Sequence, residues 1–270
     1  MNDKPQLSWA TLPADEICRR AREDCDLALL PLGSIEQHGS HSPAGVDDFN
    51  AIGLAELVAE RTGAMLLPCP MYGSHPYHHW HMPGTIPLAY ETHIALVADI
   101  VRGAAVAGYN KFILLSAHGQ VSTTAVAVHK LGLEGYFTLS LHWYDFLRDD
   151  KNVLNDYMWH ADEAETSVGL YLYPEYVDMS KAVKGGGQAL IDSRFVIAPG
   201  QAPEPGMMYH FEGTFARPEY KELENGVIGD PTQASREKGE KLVTAVVDHV
   251  SDLVGHIMDR YPVGTKPPVR

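Results

Sequence analysis

Disulfide-forming material is scarce in this chain. Three cysteines, Cys18, Cys25 and Cys69, occur in 270 residues. An odd number without a Cys-x-x-Cys pair argues against a disulfide framework. It points instead to a reducing, cytoplasmic setting. Long apolar runs are also missing: none approaches the roughly 20 residues that a membrane span needs. The opening Met1-Asn2-Asp3-Lys4-Pro5 has no apolar signal core. Basic charge is short, with 21 Lys and Arg against 35 Asp and Glu, for a net charge of −14. That balance argues against nucleic acid or an acidic membrane surface as partner. An anionic small substrate stays open, because a metal can invert the local charge. There is no internal repeat and no low-complexity tract.

What is present suits one large α/β domain over residues 1–270, with ordinary apolar content and a sizeable core. Fourteen histidines is a high count, and many crowd between His38 and His81. The organising stretch begins with an apolar run, residues 27–32, that reads as a short buried strand ended by Gly33. A polar loop follows, carrying Glu36, His38, His41, Asp47 and Asp48. Carboxylates and imidazoles just past a buried strand suit a metal site at a sheet edge. Glu36-x-His38 is too tight for one helix face, but in an extended segment both side chains point the same way. Spacing alone leaves a polar loop with incidental histidines equally open.

Along the chain, residues 13–22 read as a surface helix and 49–61 as an amphipathic one. Residues 64–67 read as a second short strand. Residues 68–88 form a long loop rich in Pro, Gly, His and aromatics, holding His75, His78, His79, Trp80 and His81. A run of that length without regular structure is usually functional; packing by its own aromatics is the alternative. Residues 91–107 read as a helix stopped by Gly108, 111–115 as a third strand, 121–133 as a helix and 136–141 as a fourth strand. Residues 142–161, with Trp143, Tyr144, Tyr157 and Trp159, are less regular. A helix over 163–173 has Glu163 and Glu165 in its first turn, where the positive helix end favours acids. The run Lys184-Gly185-Gly186-Gly187-Gln188 reads as a flexible loop without the Lys-Ser/Thr ending of a phosphate loop. Residues 198–218 read as loop, and 235–260 as a final helix capped by Ser235. Strands alternating with helices give an α/β fold with a mainly parallel sheet covered on both faces. The first and third strands run directly into the two best motifs, at the strand ends where ligands bind in such sheets.

Five patches in order carry a resemblance. They are Gly33-Ser34-x-Glu36-Gln37-His38-Gly39-x-His41-x-Pro43-x-Gly45-x-Asp47, then Met82-Pro83-Gly84-Thr85, Ser116-Ala117-His118-Gly119, Glu165-Thr166-Ser167 and Gly226-Val227-Ile228-Gly229-Asp230-Pro231. Together they resemble the creatininase family of metal-dependent amidohydrolases. The resemblance implies a three-layer α/β/α sandwich and a site for two divalent ions, Zn²⁺ or Mn²⁺, which mixed carboxylate and imidazole donors suit. Carried over residue by residue, Glu36 and His118 would hold one ion and His38 the other, with Asp47 bridging. Asp48 is the fallback for Asp47. Creatininases proper have a glutamate two residues after the histidine matching His118; here that residue is Gln120, and Glu165 takes its place as fifth ligand.

The resemblance also implies a proton-transferring histidine near Glu165, assigned to His160 as general acid/base, with a surface or ligand-orienting histidine as the alternative. It places His79 at a common family histidine, whereas His78, Trp80 and His81 look particular to this chain. His79, Trp80 and Gln120 are candidate pocket residues. The implied mechanism has a metal-bridging hydroxide attack a carbonyl of a small cyclic polar substrate. A hydroxyl-rich substrate fits the polar loop, so a cyclic inositol-derived diketone such as 3-dehydro-scyllo-inosose is expected. A cyclic amide or formamide is the nearest alternative. A non-catalytic metal-binding regulatory protein is an alternative of another class: Gln120 favours it, and retention of Glu36, His38, Asp47, His118 and Glu165 opposes it. A purely structural subunit would not account for the ordered motifs. Family members commonly form hexamers, so a homo-oligomer is expected, with the 68–88 loop at the pocket or its rim.

Overall fold

Two six-residue strands with every residue buried set the frame. The computed structural model describes residues 7–76, 79–80, 82–147, 153–156, 158–186, 192–198, 201, 205, 207, 209–210 and 225–269. Strand β1 (Leu27–Leu32) pairs in parallel with β3 (Lys111–Ser116), from Leu27↔Lys111 to Leu32↔Ser116. Short β2 (Met65–Leu66) flanks β1, and β4 (Phe137–His142) flanks β3, giving the order β2-β1-β3-β4, all parallel.

Strand side chains alternate between faces, and the core divides accordingly. Leu27, Leu29, Ile113 and Leu115 join one cluster with α2 (Val46–Thr62), α5 (Glu163–Leu172) and α6 (Arg236–Arg260). Ala28, Leu30, Leu32, Phe112 and Leu114 join the other with α1 (Ala14–Glu23), α3 (Tyr90–Val106) and α4 (Val121–Leu133). The result is the expected three-layer α/β/α arrangement. Each fully buried Leu or Ile contributes about 1.5–3 kcal/mol of transfer free energy.

Pro31 sits in a central strand, where a missing N–H usually breaks the ladder. Leu29 O accepts from Leu67 N, and Leu32 O accepts from Ala117 N. Odd residues of β1 therefore bond towards β2 and even ones towards β3. Pro31 faces the β2 side, past the last paired residue of that two-residue strand, and without an N–H it cannot extend that ladder further.

Three expectations need correction. Helix α2 begins at Val46, not at 49, so Asp47 and Asp48 lie in its first turn and not in the loop. Phe49 N already bonds Gly45 O at 2.9 Å, and the helix's positive end favours the two acids. The Lys184–Gly186 stretch is not merely loose, since Gly185 N donates to Gly229 O and Gly229 N donates back to Gly185 O. Within the 198–218 segment read as loop, β6 (Tyr209–His210) pairs in parallel with β5 (Val196–Ile197). Tyr77, His78, His81, Tyr157, Gly187, Gln188 and most of 198–218 lie outside the described residues. Among the described residues no helix is long and apolar enough to cross a membrane.

The strand order reverses about β1: β2 lies on one side of it, and β3 on the other. That switch opens a crevice beyond the carboxyl ends of β1 and β3. At the opposite end, fully buried Lys111 donates to Asp26 Oδ1 at 2.6 Å and to Asn110 Oδ1 at 2.9 Å. Gly264 N donates to Asp26 Oδ2 at 2.9 Å, tying down the C-terminal segment. Removing one partner of such a pair leaves a buried uncompensated charge. Lys111→Met should lower unfolding free energy by about 3–5 kcal/mol, while the Asp26→Leu/Lys111→Met double change should cost less. Urea denaturation measures both, and equal losses would contradict the account.

Candidate metal centre

The centre assembles at the carboxyl ends of β1 and β3, under the amino ends of α2 and α5. After Gly33 the chain runs extended, pinned on both sides. Glu36 N donates to Ala44 O at 2.9 Å, Gln37 N donates to Thr85 Oγ1 at 3.1 Å, and Ile86 N donates to Ile35 O at 2.9 Å. The Met82–Thr85 patch thus holds Glu36 and His38 in the geometry that turns both inward. Gly33 lets the first turn of α2 approach: a Cβ there would lie 2.4 Å from Asp48 Oδ1 and 2.5 Å from its backbone.

Four of the donors, His38, His118, Asp47 and Glu165, are each fixed by a second bond. His38 Nδ1–H donates to Glu36 O at 3.0 Å, so Nε2 is the ring nitrogen turned to the centre. That Nε2 lies 3.4 Å from Asp47 Oδ1 and 3.4 Å from Glu165 Oε2. His118 Nε2–H donates to Ser74 O at 3.0 Å, leaving Nδ1 at 3.1 Å from both Glu36 Oε2 and Asp47 Oδ2. Ser34 Oγ donates to Asp47 Oδ2 at 2.6 Å, and Ala161 N donates to Glu165 Oε2 at 2.6 Å. Partners of this kind orient metal ligands. All of these donors are nearly or fully buried.

His160 lies beside the cluster. Its Nε2–H donates to Gln37 O at 2.8 Å, and Nδ1 is 3.8 Å from Glu36 Oε2. Its backbone forms a two-bond bridge to Ile228, which gives the Gly226–Pro231 patch its job of buttressing the His160 turn. Gly229, at φ +123°, is required there: a Cβ would meet Asp162 Cβ at 2.7 Å. Asp162 caps α5 through Ala164 N and Glu165 N.

The remaining candidates divide. His79 contacts Glu36 Oε1 through Nδ1. Asp48 turns elsewhere, accepting from Cys69 Sγ at 3.5 Å; burial and neighbouring Asp47 push its carboxyl up to about 7. Gln120 spends its amide nitrogen on Gly33 O and Ser116 Oγ, each at 3.2 Å, bracing the ends of β1 and β3. Trp80 donates from Nε1 to His75 O at 3.0 Å and packs on Tyr90. His41 bonds Thr166 at 3.0 Å and is not part of the cluster. His75, not singled out as a donor from sequence, is drawn in with Glu36 and His118. The histidine density of its loop was the available signal.

Whether a metal fits can be judged from these atoms. Donor atoms group as Glu36–His75–His118, Glu36–His38–His160 and His38–Asp47–Glu165. Buried His38 Nε2 and Asp47 Oδ1 face each other without a hydrogen bond. Two donors at about 2.1 Å from one tetrahedral ion stand about 3.4 Å apart. The donor set is the carboxylate–imidazole mixture that Zn²⁺ and Mn²⁺ take. The residues fit.

Electrostatics agree. Burial disfavours the charged form of His118, but Glu36 and Asp47 outweigh it and raise its pKa to about 10. Burial likewise opposes a charge on His38, yet Asp47 and Glu165 hold its pKa well above the usual value. Burial raises Glu165, whereas in Glu36 the imidazoles of His79 and His118 outweigh burial and hold the carboxyl well below its ordinary range. Burial dominates at His160 and keeps it neutral, its pKa well below the ordinary value.

Comparison with known proteins places this arrangement among relatives. A family model for creatininase, creatinine amidohydrolase, matches residues 10–254. The 3-dehydro-scyllo-inosose hydrolase of Thermotoga maritima is 33% identical, with 96% of this chain and 86% of that protein covered. The creatinine amidohydrolase of Pseudomonas putida is 28% identical, with 92% and 94% covered. A solved manganese creatininase aligns at TM-score 0.75 and 26% identity, over 95% of this chain and 99% of that one. A Zn-Zn type creatininase mutant aligns at TM-score 0.75 and 26% identity, over 95% and 98%.

Metal ligation requires neutral imidazoles, and raised pKa values keep His38 and His118 protonated at pH 7 in chelator-treated protein. Adding Zn²⁺ at pH 7 should therefore release about two protons per chain. Apparent affinity should climb as pH rises and level off only above about 10, where His118 loses its proton. An indicator dye in weak buffer reads the release, and no release would contradict the ligand geometry.

Proposed function

This chain belongs to the creatininase family, and we propose that it is a binuclear-metal hydrolase that opens a cyclic, inositol-derived diketone such as 3-dehydro-scyllo-inosose. The family is hydrolytic, and the chain is one of its metal-dependent hydrolases. One observation carries the binuclear reading: Asp47 turns Oδ1 towards His38 and Oδ2 towards His118. Glu36 and His118 would hold one ion, His38 and Glu165 the other, with Asp47 shared. The ions, when bound, supply the positive charge that acidifies water and polarises a carbonyl. Support for the diketone is the 33% identity to the inosose hydrolase and the histidine-rich 68–88 loop beside the centre.

The chain's own groups do the rest. His160, neutral and fixed by Gln37 O, takes a proton at Nδ1 from the attacking water. It then returns that proton to the atom leaving the carbonyl carbon. His79 lines the pocket, Trp80 steadies the loop behind it, and Gln120 braces its floor. Burial of the donors excludes bulk water and strengthens each charge. We assign residues 1–270 to one domain and read the setting as cytoplasmic. Self-association would use Met71, Tyr72, Ile86 and Tyr90, which are exposed on one loop and the start of α3.

Elemental analysis of protein purified without chelator should give two ions per chain. Glu165→Gln should weaken one ion at least 10–100-fold, while Gln120→Ala keeps both; the reverse would move the ligand to Gln120. His160→Ala should lower kcat by about 10²–10⁴-fold with both ions retained. A panel of inositol diketones and cyclic amides decides the substrate. Turnover of creatinine without turnover of diketone would make this chain an amidohydrolase. Two bound ions with no turnover of either class would favour the regulatory alternative.

A further inference from the structure

His75 is a buried imidazole with an unexplained position. It is 1% exposed, and neither Nδ1 nor Nε2 has a hydrogen-bond partner. A neutral imidazole carries one N–H and one lone pair, so burying both unpaired is costly unless something else meets them. Its Nδ1 lies 3.6 Å from Glu36 Oε1, and its ring centroid is 4.5 Å from that of His118, inclined by 58°. Ligand atoms of Glu36, His75 and His118 all lie within 4.8 Å of one another.

The chain holds this ring in place deliberately. Trp80 Nε1 and Tyr90 Oη both donate to His75 O, at 3.0 and 3.2 Å. The preceding carbonyl, Ser74 O, takes the His118 Nε2–H. Ser74 Oγ is 2.7 Å from Thr123 Oγ1, and His93 Nδ1 is 2.9 Å from the same oxygen. One peptide therefore orients His118 while delivering His75 to the same place. A residue that only packed would not need two side-chain donors on its own carbonyl.

We propose that His75 is a further protein ligand of the ion held by Glu36 and His118, an inference that rests on the binuclear reading above. That ion then has four protein donors, Glu36, Asp47, His118 and His75. The other has three, His38, Asp47 and Glu165. Sites with four protein ligands are closed, and sites with three keep a position open. The Glu36 ion is therefore the firmly held one, and the open position for substrate lies at the His38 side.

The test combines chelator competition with X-ray absorption on the zinc-loaded protein. His75→Ala and His75→Gln, checked for folding by circular dichroism, should lose affinity for one ion by at least 10-fold and leave the other within about 2-fold. Absorption spectra of the unmutated protein should report three imidazoles per two ions, from His38, His75 and His118; this reading stands even if the variants fail to fold. Two imidazoles per two ions would overturn the proposal. So would variants that keep both ions at full affinity, including variants that only raise KM and so make His75 a substrate contact. Fewer than two ions in the unmutated, metal-replete protein would instead remove the binuclear reading, and this proposal with it.

Discussion

Burying carboxylates without water is the constraint on which this structure turns. Glu36, Asp47 and Glu165 each come within 3.4 Å of His38 or His118, and each is at most 4% exposed. An isolated ionised carboxylate in such a place is strongly unfavourable. Imidazoles offset part of that charge, which is why His38 and His118 hold protons so tightly in the apo chain. Divalent ions offset it more fully, with shorter contacts and no need for protons. The sheet supplies the rigid edge from which this crowding can be maintained. Helix ends help: Asp47 and Glu165 sit in the first turns of α2 and α5, where unpaired backbone N–H groups favour negative charge.

From that constraint the roles of distant segments follow. Ser34 Oγ donates to Asp47, Ala161 N donates to Glu165, and Ser74 O accepts from His118, so each of these three donors is held by a fixed bond. Ala161 takes φ +51° to make its bond, a backbone strain that a non-glycine residue adopts only where its surroundings enforce it. The enforcement is visible in the bridge between His160 and Ile228 and in the Asp162 cap. Backbone strain, a helix cap and a glycine at Gly229 all serve one turn that presents Glu165 and His160 together.

Much of this was legible in the sequence, for physical reasons. The run that became β1 is apolar throughout and the one that became β3 is apolar from Phe112 to Leu115, so length and composition agreed. Helix α4 runs Val121–Leu133, as its pattern indicates. The start of α2 was hidden because Asp47 and Asp48 look like loop residues until their place at a helix end is known. Gly185 was hidden for another reason: its pairing with Gly229 joins segments more than 40 residues apart, and no local pattern encodes it. His75 was visible only as one histidine in a dense loop. Convergence with Glu36 and His118 is a tertiary fact, set by a carbonyl clamped between Trp80 and Tyr90.

The exchange at Gln120 shows how such a site can be rebuilt without moving its scaffold. In the creatininases proper that this chain resembles, a glutamate stands at this point. Here the amide nitrogen bonds Gly33 O and Ser116 Oγ, so the side chain joins the two strand ends that a ligand there would otherwise face. A carboxylate could not donate those two bonds. Glu165 Oε2 lies 3.4 Å from His38 Nε2 and is held by Ala161 N. On the proposed ligand assignment, Glu165 supplies from the start of α5 the carboxylate that Gln120 does not offer at the end of β3. His75 and His79 meet Glu36 from the segment between β2 and α3.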